Sequence, residues 1–442
     1  MTHTKAIMMP QKSSEPPEAA QLKAGDSALN NTPLKPGRNA NYSLDSGQAL
    51  TSHIWQNIFD MNQITLETAF HDIFLGTAPL LHPHQRRDLE TSLGFTFDGL
   101  ESEISNATSE KAMYKPIARL LSALTLLVAV DDEHWCLSLP KDHLWITAVI
   151  ATHTPLAETE HPGHKCDLGS FPAMKDAICQ FVKYGDNPSF VPSWSSMGHI
   201  AEAELRSLPT KDSETSFEEK AQAISYMWSC SRNQVNCSGF LGFYACCNGL
   251  QFIWYGVSKV RISPNYKWND LQALFSFVYA LHRKENMLED TRLLLHFNQN
   301  RLVSSVLPWH GKDYKLTTFS MDDGWRRKRF IAGGYSPDGK VVVVKLVWRQ
   351  SSHRLKEAEV CECIHNDGSV AGVVSLLGDH NDSPRLYELL PNEMESDTTY
   401  IWQILLYDTI SESLSSCGSI KSFLIAIFDL VESMLASLLL WW

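Results

Sequence analysis

The stretch DGKVVVVKLVWR at residues 338–349, followed after a short gap by RLKEAEVCECIH at 354–365, decides how this chain is read. Pro337-Asp338-Gly339 is a turn signal, because proline presets φ and glycine accepts positive φ at no steric cost. Val341 to Val344 is an unbroken β-branched run, the pattern of a buried strand. Lys345 follows it directly, and RLKEAEVCECIH reads as a short helix carrying Glu357 and Glu359. A lysine closing a strand ahead of a glutamate-bearing helix is a physical kit for holding nucleotide phosphates. The ammonium offers a point charge to phosphate oxygens, and a helix carboxylate fixes where it points. The plainer alternative is a lysine that simply leaves the strand for solvent, and the pattern alone leaves both open.

Outward from this stretch the chain alternates helix and strand signals. Residues 370–377 read as a second buried strand. Upstream, 240–247 and 250–257 are aromatic-rich apolar runs separated by Asn248-Gly249, a dipeptide that tolerates positive φ and signals a tight hairpin. In residues 268–283, Trp268, Leu271, Leu274, Phe275, Val278 and Tyr279 recur at three and four residues, one helical stripe facing a core. Residues 113–130 predict another helix, with Pro116 in its first turn. Residues 1–48 are rich in Pro, Ser, Asn, Lys and Glu and read as a disordered arm. Gly334-Tyr-Ser-Pro-Asp-Gly339-Lys340-Val341 fits most of a P-loop, but Val341 replaces the Mg²⁺-binding Ser or Thr, so it reads as a turn.

Composition bounds the function classes. The 442 residues suffice for two or three domains, and the 44% hydrophobic share is that of a globular protein. A net charge of −12 argues against binding nucleic acid through overall charge. Ten scattered cysteines make no disulfide framework, and the first residues lack a signal-peptide core. The expectation is an intracellular protein, cytoplasmic or nuclear, with reduced thiols.

From about residue 110 onward the chain resembles the fungal-type protein kinase domain family. The resemblance is carried by an ordered string of short stretches: EKAMYKPIARLL at 110–121, Trp194 through AEAELRS, FEEKAQAISYM, the GFYACCNGLQFIWYG hairpin, VVVVKLVWR, RLKEAEVCECIH and SIKSFLIAIFDLVESM. It implies an α+β chain in three parts: the arm at 1–48, an α/β module at 49–300, and an incomplete protein-kinase-like domain at 301–442 holding a small lobe and the start of a large lobe. Lys345 then matches the lysine of the third kinase strand, which pairs ATP phosphates. Glu359 is the expected helix partner, with Glu357 close behind. The glycine loop over the nucleotide is expected near MDDGWRRKRF at 321–330, where only Gly324 survives of three glycines. In the family the catalytic Asp and the Mg²⁺-holding Asp follow the helix resembled here by residues 420–434, and no such motif follows it in these 442 residues. The resemblance therefore implies an ATP-dependent Ser/Thr protein kinase whose activity is lost in this chain, a pseudokinase with weak or absent binding of ATP with Mg, no catalytic residue to name, and a protein partner of unknown identity.

The α/β module carries a second constellation. Asp167, then Glu204-Leu205-Arg206, then Gln222 and Tyr226 on an expected helix resemble the restriction-endonuclease-like fold. There an Asp and a Glu hold a divalent metal and a lysine helps activate water. Arg206 stands where lysine is expected, and arginine cannot act as a neutral proton acceptor. This favours a degenerate site with no metal, and supplies the alternative reading of a non-catalytic interaction module. Cys361, Cys363 and His365 diverge on a helix and read as packing. The tail at 423–442 is apolar but interrupted by Asp429 and Glu432, which disfavours a membrane span.

Overall fold

Strands gather into two seven-stranded sheets, one made by residues up to 262 and the other beginning at 294. The computed structural model describes residues 64–76, 78–136, 139–150, 166–186, 194–208, 220–234, 237, 239–256, 260–283, 294–298, 301–322, 329–350, 357–365, 375–382 and 400–408. The arm at 1–48, Gly324 and the segments at 420–434 and 423–442 lie outside these residues.

The first sheet comprises β1 (Ile64–Leu66), β2 (His143–Val149), β3 (Leu168–Met174), β4 (Ile200–Glu204), β5 (Gly239–Cys246), β6 (Gly249–Gly256) and β7 (Val260–Ile262), in the order β1-β7-β6-β5-β4-β3-β2. It is mixed: β1 with β7 and β4 with β5 run parallel, and the remaining pairs are antiparallel. A parallel pair needs a crossover, and α5 (Ala221–Asn233) supplies the one between β4 and β5. The other helices up to this point are α1 (Pro83–Leu93), α2 (Phe97–Ser105), α3 (Glu110–Thr125) and α4 (Lys175–Tyr184), and α6 (Leu271–Leu281) follows β7.

Helices cover both faces of this sheet. A Cβ on Gly242 would lie 3.2 Å from Met227 of α5. The adjacent Phe243 points the other way and meets Phe277 of α6 edge-on at 5.7 Å. Every residue of β5 and β6 is consequently buried. Phe277 also stacks on Phe252 at 4.8 Å. On α3, Ser122 Oγ donates to the Thr147 carbonyl and Thr125 Oγ1 to that of Trp145, both at 3.0 Å. Two expectations shift here. Helix α3 starts at Glu110, capped by Ser109 accepting from the Ala112 N–H, so Pro116 lies in its second turn and not its first. The β5–β6 turn is Cys247-Asn248, with Cys246 paired to Gly249, one residue earlier than the Asn-Gly signal suggests. Gly249 serves a close approach instead, since a Cβ there would meet the Tyr266 carbonyl oxygen at 2.2 Å.

The second sheet is antiparallel throughout. Its strands are β8 (Leu294–Asn298), β9 (Arg301–Trp309), β10 (Lys312–Asp322), β11 (Arg329–Tyr335), β12 (Val341–Gln350), β13 (Leu376–Asp382) and β14 (Tyr400–Tyr407), in the order β13-β14-β12-β11-β10-β9-β8. Helix α7 (Glu357–His365) leaves β12 and returns to β13. One side of β12 is core, with Val342, Val344 and Leu346 packed among Leu316, Phe330, Ala332, Ile404 and Leu406. The valine run is thus not buried on both sides, and Val341 is 40% exposed. The strand also runs on to Gln350, so Lys345 is mid-strand and does not close it. Of the strand expected over 370–377, residues 370–374 lie outside the described residues; the described strand is Leu376–Asp382, LLGDHND, with Leu377 exposed.

Candidate functional site

The best-organised charged group lies on the second sheet. Turn chemistry sets β12 in place: Ser336 and Gly339 close the Pro337-Asp338 turn, with Gly339 donating to the Ser336 carbonyl at 2.9 Å. Alternation then puts Val343, Lys345 and Val347 on the side away from the apolar core. In register with them across the strand pair stand Tyr407 opposite Val343 and Leu405 opposite Lys345. Helix α7 packs on this side through Ala358 and Cys361, which form a small core with Leu405 and Tyr407.

That packing delivers Glu357 to Lys345. The Lys345 ammonium donates to both Glu357 oxygens, at 2.6 Å to Oε1 and 2.5 Å to Oε2. The lysine side chain is only 18% exposed and the glutamate 43%. Tyr407 Oη donates to Glu357 Oε1 at 2.6 Å. The expected partner, Glu359, is therefore corrected to Glu357: Glu359 lies two residues further along an exposed stretch of α7, where a helix turns it roughly 200° away. The site's third member, Tyr407, had no signal in the sequence beyond an aromatic residue ending an apolar strand. The loop expected to carry Gly324 falls between the end of β10 at Asp322 and the start of β11 at Arg329, outside the described residues.

The second constellation lies on the first sheet. Asp167 precedes β3 and is buried, its Oδ2 accepting from the Ala203 N–H of β4 at 3.0 Å. The most deeply buried carboxyl beside it is Glu202, and Glu204 also acts on Asp167 through its charge. Glu202 and Glu204 share one face of β4 by alternation, but Glu202 is the deeper, and its Oε2 is buried with no hydrogen-bond partner. Burial, and then Asp167 itself, push the Glu202 carboxyl well above the usual carboxylate range, and burial likewise raises Asp167. Glu204 instead pairs with Arg206 at 2.6 Å. Arg206 Nε donates to the Tyr244 hydroxyl at 2.7 Å, and its guanidinium lies 5.6 Å from that ring. Gln222 donates to the Tyr226 hydroxyl at 2.9 Å on α5, and burial raises the Tyr226 hydroxyl above its usual range.

The structure brings Asp167 close to β4, and it ties Arg206 to Glu204 and Gln222 to Tyr226. It adds Glu202 and a fully buried lysine, Lys220, whose ammonium lies 5.5 Å from the centroid of the Tyr244 ring. Glu202 was legible as the strand-mate of Glu204, whereas nothing in the sequence around Lys220 announces burial. Among the described residues no group of three His, Cys, Asp or Glu side chains is arranged to hold a metal ion, and none of the helices is long and apolar enough to cross a membrane.

No family model, no curated protein and no solved structure matches this chain.

Proposed function

We propose that the second sheet is a nucleotide-binding small lobe of protein-kinase type, with Lys345 as the phosphate-pairing lysine and Glu357 as its helix partner. The observation that carries this is the two-point ion pair from β12 to α7. Kinases require such a strand-lysine to helix-glutamate pair before nucleotide phosphates can be held. Its position supports the same reading, because β12 is the third strand counted from β10 and the β10–β11 connection is where a nucleotide-covering loop belongs. Phosphate oxygens fit beside an ammonium already fixed in direction. ATP is the expected nucleotide, and Mg²⁺ arrives with its phosphates, supplying charge neutralisation when bound. Magnesium-ATP should raise the melting temperature of the chain, and Lys345→Ala should abolish the rise. A rise that survives Lys345→Ala would refute the assignment.

A second reading concerns the first sheet, which we read as a non-catalytic scaffold of nuclease-like parentage. A hydrolytic metal centre needs ionised carboxylates and a base near water. Here Asp167 and Glu202 hold their protons more tightly than usual, no third ligand joins them among the described residues, and Arg206 is tied to Glu204 and Tyr244. The donor set does not fit a divalent metal. Binding of Mn²⁺ lost in Asp167→Ala, measured calorimetrically, would overturn this reading.

A further inference from the structure

Glu357 is the first residue of α7, a helix of nine residues. Helices this short are marginal in isolation, so something outside the helix must hold its first turn. Lys345 approaches the carboxylate from β12, and Tyr407 approaches it from β14. The ring of Tyr407 is buried in the same small core as Ala358 and Cys361, so it has little freedom to swing away. Its hydroxyl and the lysine ammonium both reach Oε1, and two strands thereby grip one carboxylate.

We infer that Tyr407 is a positioning residue for the Lys345–Glu357 pair: from β14 it pins the glutamate, and with it the start of α7, in the paired position before any nucleotide arrives. The consequence for binding rests on the nucleotide-binding reading proposed above. A carboxylate that is 43% exposed gains side-chain freedom when one of its donors is removed. With the hydroxyl in place that freedom is already lost before a nucleotide arrives, so nucleotide binding does not bear the ordering cost. Burial, followed by the bond to Glu357, raises the Tyr407 hydroxyl above its usual range, which keeps it a donor at ordinary pH.

The test is Tyr407→Phe in the full chain, a change that keeps the ring and removes the hydroxyl. Amide hydrogen exchange over residues 361–365 should accelerate by about tenfold, the effect of losing a bond to a charged acceptor. Calorimetric binding of magnesium-ATP should weaken by about three- to tenfold. In a Glu357→Gln background the exchange effect should persist, because the amide oxygen still accepts; in Glu357→Ala it should vanish. A purely structural role for the ring would not give that split. Unchanged exchange in Tyr407→Phe, or an equal effect in Glu357→Ala, overturns the assignment. If the exchange pattern appears but the wild-type chain binds no magnesium-ATP, Tyr407 keeps its role and the nucleotide reading falls. If binding depends on Lys345 but Tyr407→Phe changes neither readout, the reverse holds.

Discussion

Strands β5 and β6 are buried at every position, whereas β12 alternates core valines with partly exposed ones, and the two sheets treat charge accordingly. Beneath the first sheet, burial disfavours the charged form of two histidines and two carboxyls. Burial pushes His199 down to about 3 and His282 down to about 4, and the same burial pushes Asp167 and Glu202 up. On the second sheet a lysine and a glutamate face one another near solvent at 2.5 Å. Glu202 and Glu357 are the same residue type with opposite energetic sign. Depth, and the presence of a cation within reach, decides which is a burden and which a clamp.

The largest expected difference between the sheets is in packing. Phe277→Ala removes a ring that meets Phe243, Phe252 and His199, and should cost about 3–5 kcal/mol in denaturant unfolding. Tyr335→Ala on the half-exposed side of the second sheet should stay within about 0.5 kcal/mol. A first sheet as tolerant as the second would end the contrast.

Next in size is acid sensitivity. His199 and His282 have folded values below the ordinary imidazole value, so the unfolded chain binds more protons between these limits. Their contribution is present in full above about pH 6.5 and is lost as pH falls toward 4 and then 3. His282 accepts from the Trp145 N–H at 3.1 Å and bonds the Val278 carbonyl at 2.8 Å, so it is the less replaceable of the two. His199→Gln should flatten the profile of unfolding free energy against pH below 6.5, by about 3 kcal/mol between pH 6.5 and 4.

Glu202→Gln should act with the opposite sign. Its folded value is raised, so its stabilising protonated state is complete below the ordinary carboxylate range and is lost as pH rises. The amide removes that loss, and should stabilise the chain by about 1–3 kcal/mol at pH 7, with no gain at pH 4. Glu357→Gln should destabilise, but by less than about 1 kcal/mol, since solvent screens a half-exposed pair. If both substitutions moved the melting temperature the same way, depth would not be what separates the two glutamates.

Elements governed by local chemistry were legible in the sequence. The Pro337-Asp338-Gly339 turn, the helix read over 268–283 and found at Leu271–Leu281, the β5–β6 hairpin and the strand-to-helix succession around Lys345 all follow from turn residues and periodicity. What escaped depended on partners far along the chain. LLGDHND at β13 has the composition of a turn and becomes a strand because β14 pairs with it. The choice between Glu357 and Glu359 rests on which side of α7 faces β14, and Ala358 and Cys361 packing there fix that side. Glu202 outranks Glu204 only once the register of β4 against Asp167 is known.

The parallel pairing of Ile64 with Val260 also sets a timetable for the growing chain. At a synthesis rate of roughly 5–20 residues per second, the roughly 200 residues between them take about 10–40 s to appear. Throughout that interval β1 has no strand to join, whereas β10 and β11 meet both their neighbours within about 20 residues of being made. The sheet translated later is the one able to close on its own schedule. The sheet translated first remains an open template with unpaired backbone until β7 emerges, so its exposure to misassociation is a matter of waiting time and not of final stability.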